Sequence, residues 1–359
     1  MTRSTNPDST TVPLVIVGGG AAGMMASVAA AEGGARPLLV EAGSRVGRKI
    51  LISGGSRCNL THEGEPKEIL EAFGPGGRFL RAATWEFPPR AVCEWFAARG
   101  LDTYAQPDGC VFPRSDDAAD VVGALAGELK RLGVTFHRHR RVVSVGRVEG
   151  GFVVRTNEAT YTAKKLIVAT GGCSYPTTGS TGDGWTFARA LGHTIVRPRP
   201  ALAPLETAEP WVSGLAGVSV ADVALTATPP GERPVACRGD LLFAHWGVSG
   251  PVALRLAWRL ADYLTPPHRH IPLTIDLLPD RTFDDLDIEL QRLFTENPRR
   301  RWPTIVGDMA PTALVKILAA HLGPTPAKPV AEMTRDERRR IVSHLKALPL
   351  TVTKPRPIE

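Results

Sequence analysis

At 359 residues, 43% hydrophobic and 22% charged, the chain is too long for one ordinary core and has the composition of a folded soluble protein, so two or three domains are expected. Its 43 Lys and Arg outnumber 36 Asp and Glu for a net charge of +7, which permits nucleic acid, anionic lipid or an anionic ligand as partner and is equally met by Arg spread over the surface. Five cysteines (Cys58, Cys93, Cys110, Cys173, Cys237) without a C-x-x-C argue against a disulfide framework, and nine histidines show no metal-binding spacing, so reduced thiols, a cytoplasmic location and no metal are expected.

Residues 1–11, "MTRSTNPDSTT", read as a disordered lead-in. From Val12 to Ala31 no residue is charged, but the central third is Gly and Ala, and Gly18-Gly19-Gly20 would break a membrane helix. The same letters fit a dinucleotide fold. "PLVIV" (13–17) is a β-branched run for a buried parallel strand. Gly18 permits the tight turn, Gly20 lets backbone approach a phosphate, and Gly23 lets the next helix pack closely. That helix, "AAGMMASVAAAEGG", aims its first amides at the pyrophosphate. "PLLVE" (37–41) is the second strand, and Glu41 stands where a ribose-binding acid belongs.

After Glu41 the sequence "AGSRVGRKILISGGSRCNLT" (42–61) leaves the strand–helix alternation of an NAD dehydrogenase. A loop this rich in Gly and Arg can wrap a second phosphate and an isoalloxazine edge, or be a flexible surface loop. "AADVVGALAGELKRLGVTFH" (118–137) predicts an amphipathic helix feeding a strand. Residues 141–166 predict a three-stranded meander turning at Glu149-Gly150-Gly151 and Asn157-Glu158. "LIVATGG" (166–172) predicts a buried return strand ending in small residues. The fold class expected is α/β: a Rossmann-type FAD-binding domain like that of glutathione reductase.

"GGGAAGMMAS", "GRKILISGGSRCNLT", "CVFPRS", "ATGGCSYPTTGSTGDGWTFARALGH", "PALAPL" and "LLFAHWGVSGP" occur in that order. On these motifs the chain resembles the BaiN/YhiN-like flavoproteins, NAD(P)/FAD-dependent oxidoreductases with an aminoacetone oxidase-like branch, from about Val12 onward. The resemblance implies an FAD domain (12–196), a β-barrel-like insertion (197–279 plus 348–359) and a small helical insertion (280–347). The cofactor contacts expected are Gly18, Gly20, Ala21, Ala22, Gly23, Glu41, Ala42, Arg48, Lys49, Ser53, Gly54, Gly55, Arg57, Cys58, Asn59, Val143, Ala169, Thr170, Gly171, Gly172, Gly182 and Asp183. Arg48 and Lys49 would sit beside the flavin phosphates, and Gly54 to Asn59 near the isoalloxazine. Cys58 is either a redox thiol or a small packing residue. Asp183 either orients the cofactor or caps a helix. His245 is the candidate substrate-side acid/base, with a hydrogen-bonded core histidine as the alternative. Tyr175 and Trp246 line the pocket or merely pack.

Three departures from the family pattern are visible. Cys110 replaces an Arg before "VFP", Ala244 replaces a Thr, and the sequence stops at Glu359 before the family's "VTxGGV" strand and "GEvLDvdGxxGGYN" motif. Without that segment an open sheet edge, an uncovered flavin and weaker FAD affinity are expected. The leading function is hydride transfer through flavin N5, with NAD(P)H as diffusible donor, since no second GxGxxG is present, and a small organic acceptor. The alternatives are oxidation of a small amine and a flavin-fold protein without catalysis. A small-molecule substrate is expected; a membrane partner is not. The absence of an aromatic-interleaved basic motif speaks against nucleic acid. The oligomeric state is left open.

Overall fold

In the computed structural model, which describes residues 9–264, 270–322 and 324–357, the chain divides between Val196 and Arg197 into two units. In the first, β1 (Ser9–Val17), α1 (Ala21–Glu32) and β2 (Pro37–Val40) form a βαβ unit. A small antiparallel sheet follows, β3 (Thr61–His62), β4 (Thr103–Ala105) and β5 (Cys110–Pro113) in order β3-β5-β4. Between its strands run α2 (Pro66–Ala72), α3 (Gly77–Glu86) and α4 (Pro89–Ala97). Then come α5 (Ala118–Arg131), β6 (Thr135–His137), the meander β7 (Val142–Val148), β8 (Gly151–Thr156) and β9 (Thr160–Val168), and α6 (Asp183–Ala190).

The main sheet runs β6-β2-β1-β9-β8-β7, with β6, β2, β1 and β9 parallel and the meander antiparallel. Both faces of β1 and β2 are buried, which is why they read as continuous apolar runs. Ile16 and Leu39 face Met24 and Val28 of α1 and Leu125 and Leu129 of α5. Val15, Val17, Leu38 and Val40 share the opposite core with Val154, Tyr161 and Phe187. The uncharged stretch Val12–Ala31 is thus strand, turn and helix, and among the described residues no helix is long and apolar enough to cross a membrane.

Strand β1 begins at Ser9, within the stretch expected to be disordered; residues 1–8 of that stretch lie outside the described residues. Ser9, Thr10 and Thr11 pair with Thr160, Tyr161 and Thr162 of β9. A backbone ladder holds these polar residues where the side-chain pattern gave no strand signal.

The second unit contains β10 (Leu205–Thr207), β11 (Ser219–Ala227), β12 (Val235–Ala244), β13 (Gly247–Ser249), α7 (Pro251–Arg259), β14 (Ile271–Asp276), α8 (Phe283–Glu296), α9 (Trp302–Val306), α10 (Thr312–Ile317), α11 (Arg335–Lys346) and β15 (Leu348–Pro355). Its strands close a barrel in the order β10-β13-β12-β11-β14-β15. Barrel residues such as Leu225, Phe243 and Ile275 and helical residues such as Leu290, Trp302 and Val342 belong to one continuous core. Helices α8 and α11 both open on capping boxes, Thr282 with Asp285 and Thr334 with Glu337. The arginine run 338–340 is partly interior. Arg338 bonds both carboxylate oxygens of Asp287, and the two side chains are only 13% and 15% exposed.

Candidate functional site

The turn after β1 is built from glycines for two different reasons. Gly18 has φ +104°, and a Cβ there would stand 2.4 Å from the Ala169 carbonyl oxygen. A Cβ on Gly23 would stand 1.7 Å from the Gly18 carbonyl oxygen. Both close approaches are made by backbone, so α1 starts hard against the turn and the turn lies hard against Ala169, just after β9. Gly20 differs: its Cβ would meet no protein atom within 4 Å. The start of α1 has no side-chain cap and no acidic residue in its first turn, leaving its first amides and the positive end of the helix dipole open.

Glu41, at the end of β2, accepts from the Gly19 N–H on Oε2 and from the Gly43 N–H on Oε1, each at 2.6 Å. It therefore holds the glycine turn to the loop that follows. Beyond this turn lies a cleft of about 780 Å³, within the range of small-molecule and cofactor sites. Arg45, Arg48, Lys49, Arg140 and Arg141 line it, against the carboxylates of Glu41 and Asp183.

The loop after Glu41 and the segment after β9 are tied across the cleft. Arg48 donates to the Thr177 carbonyl at 2.6 Å and Lys49 to the Ser174 carbonyl at 2.7 Å. Burial lowers the Lys49 amine from its ordinary value, and nearby Cys173 pulls it back up. Asp183 accepts from Arg141 at 2.8 Å and from the Thr181 hydroxyl at 2.9 Å. Arg140 pairs with Glu158.

Of the expected contacts, Gly18, Gly20, Ala21, Ala22, Glu41, Ala42, Arg48, Lys49, Ser53, Cys58, Asn59, Ala169, Thr170, Gly171 and Asp183 line this cleft. Gly23 lies behind the turn. Gly54 packs against Asn59 and Phe112. Arg57 stacks 4.1 Å from the Phe112 ring centroid and pairs with Asp116 at 3.7 Å. Gly55, Gly172 and Gly182 are not among the lining residues; Gly182 precedes α6 with φ +79° and its N–H bonds the Gly172 carbonyl. Val143 is not among the lining residues either. The ladder of β7 with β8 shifts register between Val142 and Ser144, so Val143 is thrown out to solvent, 58% exposed, and Val142 faces the cleft.

Cys58 is buried with φ +65°. Burial raises its thiol, with the Ser53 side chain opposing; a protonated, enclosed thiol favours packing over redox chemistry. His245 lies in the second unit, exposed in the turn between β12 and β13, its ring edge-on to Trp246 at 6.0 Å. The structure gives it no carboxylate partner among the described residues. Residue reasoning did not single out Arg140, Arg141, Val142 or Trp185, which line the cleft. Only the run "HRHRR" (137–141) marked the first two.

The profile of the HI0933-like protein Rossmann domain matches residues 12–307. The ribosomal RNA dihydrouridine synthase of Escherichia coli is 30% identical over 337 residues, 92% of this chain and 79% of that protein. The 3-dehydro-bile acid delta(4,6)-reductase of Clostridium scindens is 32% identical over 267 residues, 74% of this chain and 64% of that protein, so the match spans just under two thirds of its length. Among solved structures, the open conformation of a flavocytochrome c3 fumarate reductase is similar over 97% of this chain and 67% of that one, at 18% identity and a TM-score of 0.47.

Proposed function

This chain belongs to the HI0933-like Rossmann family of FAD-dependent oxidoreductases, and from that premise we propose that it reduces a carbon–carbon double bond conjugated to a carbonyl, with NAD(P)H as diffusible donor. The observation that carries the cofactor's place is the uncapped start of α1 facing a cleft lined by five cations. A pyrophosphate suits that charge balance, and the open side of Gly20 lets it approach the backbone. Ala21 and Ala22 would offer their amides to it. Glu41 keeps unused lone pairs for a ribose hydroxyl while its bonds to Gly19 and Gly43 hold it in place. Arg48 and Lys49 fix the second loop and add positive charge beside the phosphates. FAD supplies hydride transfer when bound; the protein's residues orient it and balance its charge.

The names of two relatives favour reduction over amine oxidation, one being a delta(4,6)-reductase and the other a dihydrouridine synthase. Anaerobic stopped-flow tests this. Mixing the FAD-loaded protein with NADPH or NADH is expected to bleach the flavin at roughly 1–100 s⁻¹. No bleaching by either, with reduction by a small primary amine, would favour the oxidase instead.

A second reading, a uridine within ribosomal RNA as acceptor, is favoured by the names of two relatives, from Escherichia coli and Haemophilus influenzae, and by the net charge of +7. It requires RNA binding that weakens steeply with salt. Flat retention on a polyanion column between low and moderate salt would eliminate it.

A further inference from the structure

Tyr175 stands in a conformation that suits glycine. Its φ is +51° and ψ 63°, a left-handed geometry that is a steric outlier for a bulky aromatic residue. The same segment already uses glycine at Gly171, Gly179 and Gly182, where φ is also positive. The neighbouring bonds impose the geometry. Thr178 donates to the Tyr175 carbonyl from its N–H at 2.9 Å and from its hydroxyl at 2.7 Å. Lys49 holds the carbonyl of Ser174 on one side, and Arg48 holds that of Thr177 on the other.

Among the described residues nothing offsets this strain at the side chain. The residue is 62% exposed, and among the described residues its ring stacks on no other ring and its hydroxyl has no hydrogen-bond partner. Its place is the margin of the cleft, because Gly171, Thr178, Gly179 and Ser180 line that cavity, as do the two cations that pin the segment. Backbone strain held by over-determined surroundings beside a ligand cleft is characteristic of functional positions.

We propose that Tyr175 is a specificity-determining platform: its ring face stacks on a flat, conjugated substrate ring, and its hydroxyl donates to that ring's carbonyl. This rests on the reductase reading, which calls for such an acceptor. An exposed phenol fits it on two counts, a π-face for an electron-poor ring and one donor for the carbonyl oxygen polarised during reduction. A structural residue would have no use for either.

The test is calorimetric titration of the FAD-loaded full chain with uridine and with 2-cyclohexen-1-one, for the wild type and for Tyr175→Phe, Tyr175→Ala and Tyr175→Gly. Thermal melts and FAD titrations of the same proteins accompany it. At least one probe is expected to bind the wild type. Tyr175→Ala and Tyr175→Gly are expected to weaken it about tenfold or more, whereas Tyr175→Phe keeps the stacking part and loses less than the Ala variant. FAD affinity is expected to stay within twofold throughout. Tyr175→Gly is expected to melt above Tyr175→Ala, because glycine relieves the backbone. Equal affinity of Tyr175→Ala and wild type, or binding of neither probe by the wild type, would overturn the platform. Binding that Tyr175 controls, without turnover under NADH or NADPH, would sink the reductase reading and leave the platform standing.

Discussion

Replacing Gly23 by Ala is expected to empty the first unit of flavin. The added methyl would stand 1.7 Å from the Gly18 carbonyl oxygen and 3.5 Å from the Ala169 side chain. Neither the turn nor Ala169 can move aside cheaply, since Gly18 also donates its N–H to the Val40 carbonyl at 2.8 Å and Ala169 donates its N–H to the Val17 carbonyl at 2.8 Å. The start of α1 must therefore tilt away, and the amides of Ala21 and Ala22 leave the phosphate position. A stability loss of about 2–3 kcal/mol is expected from the overpacking alone, together with loss of nearly all bound FAD. Gly20→Ala is the informative partner. Its methyl meets no protein atom, so the fold should melt within a degree or two of wild type while FAD affinity still falls. Equal flavin content in Gly23→Ala and wild type would show that the glycine turn does not set the cofactor's place.

The second large effect lies away from the cleft. Glu128, on α5, is 5% exposed and binds two arginines: Arg99 at 2.8 Å, and Arg131 through Nε at 2.9 Å and Nη2 at 2.7 Å. Arg99 is itself mostly buried, lies 3.7 Å from the Trp95 ring centroid and also reaches Glu32 at 3.2 Å. Hydrogen bonds from Arg131, then from Arg99, hold the Glu128 carboxyl at about 2, below its ordinary 4.5. A carboxylate with a depressed pKa contributes stability above its unfolded value and loses it as pH falls. The loss should therefore run from about pH 4.5 down to about 2. Glu128→Ala leaves Arg99 buried without its main partner and is expected to cost about 3 kcal/mol at neutral pH, a fall in Tm on the order of 8 °C. Glu128→Gln should cost less at neutral pH and flatten the acid limb of the Tm–pH curve. A Glu128→Ala protein that melts like wild type at pH 7 would refute the role of this cluster.

Local chemistry made the Rossmann unit readable. Val15 to Val17, the glycine turn, α1, β2 and Glu41 follow one another within about thirty residues, and each is fixed by its own residue types. The meander was legible for the same reason, its turns being marked by Glu149-Gly150-Gly151 and Asn157-Glu158. What could not be read depended on residues distant in sequence. Ser9 to Thr11 are strand only because β9 lies beside them. The bulge that swaps Val142 for Val143 is set by pairing with Thr156 and Arg155. Arg140 and Arg141 face the cleft because their partners, Glu158 and Asp183, arrive 18 and 42 residues later. Arg338 is interior because Asp287 of α8 comes up against α11. The strain at Tyr175 has no signature in the letters; a tyrosine between Ser174 and Pro176 reads as an ordinary loop residue until its φ is known.

The most direct test of the flavin assignment is the amount of flavin released on denaturation after the purified chain has been incubated with excess FAD and passed over a gel-filtration column. Close to one FAD per chain is expected for wild type and almost none for Gly23→Ala. A wild-type chain that leaves the column colourless and releases no flavin would contradict the assignment of the cleft between α1, Glu41 and Asp183 as a dinucleotide site.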